Sequence, residues 1–516
     1  MPLECTACHH QNRLTAAFCG SCGLMLAATP GCPHCGAANP SGQSYCNSCG
    51  LALDIPRAAV PFGTTPAFEA ATAQSAPLLT PQPSYALPVQ ASPLHVRSQG
   101  LEMALYGGTA IVAAVALFAR LRLLGSSPGE GFVVERALVD AATRVWDQGW
   151  TGIGPDISYG QPPGLAYLLA PWIALFGDSI TTARVLVAAL GLATLGIFFL
   201  LVRGLMGSRA AALGSALMAI GVWPMYFSRL ATPVALLLVV ELLSLYLMIK
   251  ALDERQNGDR RSLLLVLAGA SFGLGIYTHH AFFIFAAAMV LLWVREYIRS
   301  GPKRAAVVKL AVVFLLPAVV VALPYLIAVA GSWDEVSANT ANVWVTRTDE
   351  YQSLTGVAEQ ARHLVAGIGN TTASLLLRRD ADGGSGARLM DPITALLTLV
   401  GLAVGVARWH RRGHATVWLL LATSVIVAGL TTTDAVHARL VVALPAVFAA
   451  AGFGLHWLLT WMRGRLSVST QYAVIALLIA IVAFQNLGTL FDAEAGLGGE
   501  TWLGSGPGAA PSSRPE

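Results

Sequence analysis

The sequence predicts a mainly α-helical, polytopic membrane bundle preceded by a small double zinc-ribbon domain. Two compositional facts lead there. Hydrophobic residues make up 55% of the 516-residue chain and charged residues only 12%, and the mean hydropathy is +0.62, a balance outside the range of soluble domains. All 8 cysteines, moreover, precede residue 50. The net charge of +4 is a sum over two sides of a membrane and gives no reason to expect nucleic acid.

The first segment, 1–52, repeats one pattern: Cys5, Cys8, Cys19 and Cys22, then Cys32, Cys35, Cys46 and Cys49. Two Cys-x2-Cys knuckles can aim four thiolates at one tetrahedral ion, so each set suits a closed structural zinc site better than a disulfide framework. Too few apolar residues lie between the knuckles for a core, so metal binding has to supply the folding energy. His9, His10 and His34 flank the ligands but are not needed as donors. Met1–His10 has no apolar signal segment, which places the ribbons in the reducing cytoplasm as two zinc-loaded modules suited to docking a cytosolic protein partner. Residues 53–100, rich in Pro, Ala, Ser and Thr, read as a flexible tether.

Eleven apolar stretches follow that can cross ~30 Å of hydrocarbon, at about 103–123, 181–202, 210–228, 231–249, 262–279, 280–294, 308–330, 390–407, 415–431, 440–461 and 470–489. The sixth reaches spanning length by running on through Ile298. Pro162–Phe176 is apolar but short. With the N-terminus inside, the inner turns hold Arg203 and Arg209; Lys250, Arg255, Arg260 and Arg261; Arg295, Arg299, Lys303, Arg304 and Lys309; Arg408, Arg411 and Arg412; and Arg463 and Arg465. That is the positive-inside pattern. Counting 162–176 as a crossing would invert it, so this stretch reads as a juxtamembrane helix on the outer face. Arg120 and Arg122, at the outer end of the first span, run against the trend. Gly191, Gly196, Gly269 and Gly275 read as close helix contacts.

The polytopic domain thus covers 101–490, with outer pieces at 124–180 and 331–389, and 491–516 forms a disordered tail. In the first outer piece Val133, Leu138, Ala141, Ala142 and Val145 recur at near-helical spacing between charges, predicting an amphipathic surface helix.

Several short patterns fall in a definite order: Gly129-Glu130, then Gln161-Pro162-Pro163-Gly164-Leu165, Leu175-Phe176-Gly177-Asp178-Ser179 with Arg184, Tyr226-Phe227-Ser228-Arg229, Gly273-Leu274-Gly275-Ile276-Tyr277-Thr278, Asp391-Pro392, and Arg439 with Pro445. In that order and spacing the chain resembles the bacterial type C, polyprenyl-phosphate-dependent glycosyltransferases, relatives of protein O-mannosyltransferases and aminoarabinose transferases. The resemblance implies transfer of a sugar from a polyprenyl-phosphate carrier to a lipid, glycan or protein acceptor on the outer face of the plasma membrane, with membrane lipid as a partner. One departure stands out: the family's Asp-Glu pair reads Gly129-Glu130 here, and the replaced Asp usually has the acid–base or metal-binding role.

The chemistry can be set out for the residues themselves. An inverting transfer needs a carboxylate to take or orient the acceptor's proton and positive charge to meet the leaving phosphate. Glu130 is placed for the first task, with Asp140 and Asp156 assisting. Arg184, Arg229 and Arg439, at outer span ends, suit bidentate phosphate binding, although an arginine at a span end also snorkels to headgroups. The residues do not name a divalent ion for the outer site. Two other classes are carried beside the enzyme: a scaffold or sensor working through the ribbons, and a transporter using a mid-span group such as Glu241.

Overall fold

The computed structural model describes residues 3–4, 11–12, 107–108, 110–125, 133–149, 152, 162–254, 256–331, 344–376, 390–431 and 439–494. The chain divides into two units, Met1–Val89 and Gln90–Glu516. The tether, all eight cysteines, Glu130, Asp156 and the tail from residue 495 lie outside the described residues.

In the first unit β1 (Leu3–Glu4) pairs antiparallel with β2 (Gln11–Asn12), Leu3 opposite Asn12 and Glu4 opposite Gln11. The connection between them contains Cys5 and Cys8. Thiols in two Cys-x2-Cys pairs are a donor set that fits zinc.

Among the described residues the regular elements of the second unit are helices. In chain order it contains α1 (Ala110–Leu121), α2 (Val133–Gln148), α3 (Gly164–Phe176), α4 (Ile180–Met206), α5 (Ser208–Ile220), α6 (Val222–Phe227), α7 (Val234–Asp253), α8 (Gly258–Leu274), α9 (Phe282–Arg299) and α10 (Arg304–Gly331). A single turn at Asp349–Gln352 leads to α11 (Val357–Leu376), followed by α12 (Pro392–Ala407), α13 (Arg412–Gly429), α14 (Leu444–Met462) and α15 (Val468–Glu494). Among the described residues 6 helices are long and apolar enough to cross a membrane: Ile180–Met206, Val234–Asp253, Gly301–Gly331, Arg412–Gly429, Val441–Met462 and Ser469–Phe491; α1, α3, α5 and α12 are shorter apolar helices.

Local chemistry explains the boundaries. The stretch expected as one span at 210–228 is two helices, because Pro224 has no N–H to give and crowds the preceding turn, so the helix breaks at Gly221. A single residue, Gly207, separates α4 from α5 with φ 91°, a conformation that glycine adopts without a Cβ penalty. Ser179 caps α4 by accepting from the Thr182 N–H at 3.1 Å, and Asp391 caps α12 through Thr394 N–H at 2.8 Å, with Pro392 in the first turn. The helix at the sixth expected span extends to Arg299, but it is not among the helices that are long and apolar enough to cross a membrane. The loop expected at 331–389 contains α11, which packs on α13. There Gly367 abuts the Gly429 carbonyl, and Val345 N–H donates to the Leu430 carbonyl at 3.1 Å.

Water cannot drive apolar helices together in lipid, so close packing at small residues has to. Along α8 a Cβ on Gly269 or Gly273 would collide with the carbonyls of Phe314 and Ala318 in α10. Gly401 of α12 meets the Ala450 carbonyl, while Gly454 of α14 meets that of Leu397. Gly191 sits on Ser228 and Gly275 on the Phe282 ring, but Gly196 has nothing within 4 Å, so the expectation of a contact there was wrong: it faces outward from the bundle. Gly269→Leu is therefore expected to destabilise the folded protein by about 1–3 kcal/mol through overpacking, read as a lower melting temperature in detergent. Gly196→Leu should leave that temperature unchanged.

Candidate functional site

The amphipathic reading of the first loop holds. Leu138, Ala141, Ala142 and Val145 of α2 are buried against Leu165, Ala166 and Leu169 of α3 and Ala183 and Val187 of α4, forming a core separate from the main one. Asp140 lies on the opposite, exposed side of α2. The apolar α3 ends in Leu175 and Phe176, 77% and 62% exposed. Trp172 of α3 donates its indole N–H to the Thr182 carbonyl at 3.0 Å, which ties α3 to the start of α4.

At this end of the bundle three arginines and one carboxylate are buried together. Arg184, 1% exposed, donates from Nε and Nη2 to the two oxygens of Glu135 at 2.9 and 2.6 Å, and from Nη1 to the Leu124 carbonyl at 2.9 Å. Glu135 is itself 0% exposed and also accepts the Ala231 N–H at 2.7 Å. One ion pair thus joins α2, α4, the end of α1 and the 228–233 turn. Tyr226 lies within electrostatic reach of both charges. Arg229 donates to the Ala119 carbonyl. Arg120 donates to Ser228 Oγ at 3.0 Å and to the carbonyls of Ala219 and Ala116 at 2.8 and 3.1 Å. It also lines a small internal cavity with Gly191, Thr194 and Ser228. Of the two charges that ran against the positive-inside trend, Arg120 therefore sits inside protein, where carbonyls solvate it, whereas Arg122 is exposed and lies over the Phe491 ring at 4.9 Å.

The structure brings Arg184 and Arg229 together, but as internal ties. Each guanidinium is at most 2% exposed and spends donors on protein acceptors, so neither is presented to a phosphate arriving from outside. Arg439, half-buried two residues before the 3₁₀ turn Val441–Ala443, stands at a different junction, within electrostatic reach of His279. His279 accepts the Ala281 N–H on Nδ1 at 3.0 Å. Glu241 in α7 is 2% exposed, and its Oε1 has no hydrogen-bond partner among the described residues.

Sequence reasoning missed Glu135. It appeared only as one charge among several in an amphipathic stretch, and its helical phase was the available signal: Glu135 lies three residues before Leu138, on the buried side of α2. Other motif residues act as joints between elements. Gly164 of the Pro-Pro-Gly turn packs on the Tyr277 carbonyl, and Tyr277 in turn donates to the Val321 carbonyl at 2.9 Å. Asp391 accepts from Asn486 at 3.1 Å and so links α12 to α15.

This arrangement, a helical bundle with a helix pair after its first span and arginines at span ends, shares its fold with solved membrane proteins. Residues 160–325 match the family described as dolichyl-phosphate-mannose-protein mannosyltransferase, and residues 5–50 match the double zinc ribbon. ArnT from Cupriavidus metallidurans bound to undecaprenyl phosphate superposes with a TM-score of 0.51 at 16% identity, covering 76% of this chain and 76% of that one. Its apo state gives 0.50 at 17% identity over 76% and 77%. The apo oligosaccharyltransferase of Archaeoglobus fulgidus gives 0.50 at 15% identity, covering 77% of this chain but 57% of its own. Among curated proteins no sequence match is found. The motif resemblance thus agrees with the mannosyltransferase family match over 160–325 and with the ArnT-like fold of the bundle, and the cysteine repeat with the double zinc ribbon match over 5–50.

Removing one partner of the buried pair strands a charge. Glu135→Gln should destabilise the protein by about 3–5 kcal/mol, whereas Glu135→Leu/Arg184→Leu should recover most of the loss. Melting temperatures of the single and double variants in one detergent check this.

Proposed function

We propose that the chain is an inverting membrane glycosyltransferase that takes a sugar from a polyprenyl-phosphate carrier on the outer face of the plasma membrane. The observation that carries this reading is the joint one: the mannosyltransferase family match over 160–325 falls within a bundle that superposes on ArnT, a protein seen with undecaprenyl phosphate bound. The chain's own residues divide the work as follows. The acceptor oxygen attacks the anomeric carbon as the carbon–oxygen bond to phosphate breaks, and the phosphate leaves with the bonding electrons. Glu130 takes the acceptor's proton, with Asp140 and Asp156 of the same loop assisting in orientation. The buried Glu135–Arg184 pair fixes the loop's helix against α4 so that its preceding residues stay over the membrane surface. Of the three arginines at span ends, Arg439 is the one assigned to the leaving phosphate, because it is half-buried while Arg184 and Arg229 are sealed inside the bundle.

Support for the topology comes from charge. The end with Arg203, Lys250, Arg295, Arg299, Lys303, Arg304, Arg408 and Arg412 is assigned to the cytoplasm. The ribbons on that side hold two zinc ions and recruit a cytosolic protein.

Glu130→Gln should abolish transfer to acceptor in membranes that contain the intact protein, with a loss of about 10²-fold or more. Unchanged glycosylation would instead favour the scaffold reading, in which the ribbons are the working part. Arg439→Ala should raise KM for the lipid-linked donor as well as lower kcat, measured with purified enzyme in detergent. Elemental analysis of the purified chain should find two zinc ions, with one lost in the Cys5→Ser/Cys8→Ser variant and transfer by the purified protein preserved.

A further inference from the structure

The end of α9 and the start of α10 form a feature that sugar transfer leaves unused. Between them lies a groove of roughly 210 Å³ lined by Trp293, Val294, Tyr297, Val307, Val308 and Ala311. Its walls are hydrocarbon and aromatic, and Val294, Tyr297 and Val308 are 46%, 41% and 48% exposed. The indole N–H of Trp293 is buried and has no acceptor among the described residues.

The charge beside the groove is one-sided. Arg304 stacks on Tyr297, its guanidinium carbon 5.3 Å from the ring centre, an arrangement that holds a cation over an aromatic face. Lys303 precedes it and is exposed. Some of the neighbouring cations are matched: Arg295 and Arg412 pair with Glu296 at 2.5 and 3.0 Å, Arg412 also pairs with Asp253 at 2.5 Å, and Arg299 donates to the His410 carbonyl at 3.1 Å. Among the described residues neither Lys303 nor Arg304 has an acidic partner. An apolar slot on the lipid-facing side of two helices, topped by two unmatched cations, is complementary to a molecule with an acyl chain and a negative head.

We propose that this groove binds an anionic phospholipid, its acyl chain along Trp293, Val308 and Ala311 and its phosphate on Lys303 and Arg304. The proposal rests on the chain's spanning a membrane and is independent of its catalytic activity.

Native mass spectrometry of the full chain in mild detergent, titrated with phosphatidylglycerol or phosphatidylcholine, tests it. The wild-type protein should retain phosphatidylglycerol in preference. Lys303→Glu/Arg304→Glu should weaken that retention by roughly tenfold or more, since each basic residue contributes a few-fold. Val308→Trp, which fills the groove and keeps its charges, should weaken it too, and Arg203→Glu, an exposed cation elsewhere, should not. Arg304→Gln serves in place of the double variant if the latter fails to fold. Equal retention of both lipids, full retention by Val308→Trp, or an equal loss in Arg203→Glu would overturn the proposal, the last by showing diffuse attraction to a basic surface.

Discussion

A carboxylate and a guanidinium sealed from water hold one end of this bundle together. Glu135 reaches Arg184 with both oxygens and takes a backbone N–H from the 228–233 turn, so four separate stretches of chain meet at one charge pair. Moving two ions out of water is costly, and attraction offsets that cost only when geometry is good and the remaining donors are met. Here they are: the third arm of Arg184 finds the Leu124 carbonyl. The α2–α3 ledge, with a small core of its own, depends on this junction for its position against α4.

Away from the charge pair, the bundle is held by proximity of backbone to backbone. Pairs such as Gly401 and Gly454 lie in reciprocal contact with the carbonyls of the opposite helix, which brings α12 and α14 closer than larger residues permit. Lipid-facing sides carry little of this. Only 11% of the apolar window of Gly301–Gly331 is buried, against 83% for Val441–Met462, so α14 is the central staff and α10 a peripheral one. The proposed lipid groove belongs to that periphery.

Much of this was legible in the residues, because the bilayer imposes simple rules. Apolar length marked the helices, and the spacing of Leu138, Ala142 and Val145 marked a buried stripe. What escaped notice depended on partners distant in sequence. Glu135 looks like any solvated helix charge until Arg184 is placed beside it, and Arg184 looks like a headgroup ligand until Glu135 is. The kink at Pro224 lay inside an unbroken apolar stretch, where hydropathy is blind to backbone geometry. α11 was hidden for the opposite reason, since its mixed composition reads as loop and only docking on α13 makes it helical.

Arg120 also bears on how the chain is made. Its acceptors at Ala219 and Ser228 lie 99 and 108 residues further along, and a guanidinium left without partners in a membrane helix is costly. While the first hundred residues of the membrane unit emerge from the ribosome, only the Ala116 carbonyl of its own helix reaches this cation. The other acceptors come with α5 and the turn after α6, so the polar contacts of the first helix are completed only when several later helices are in place.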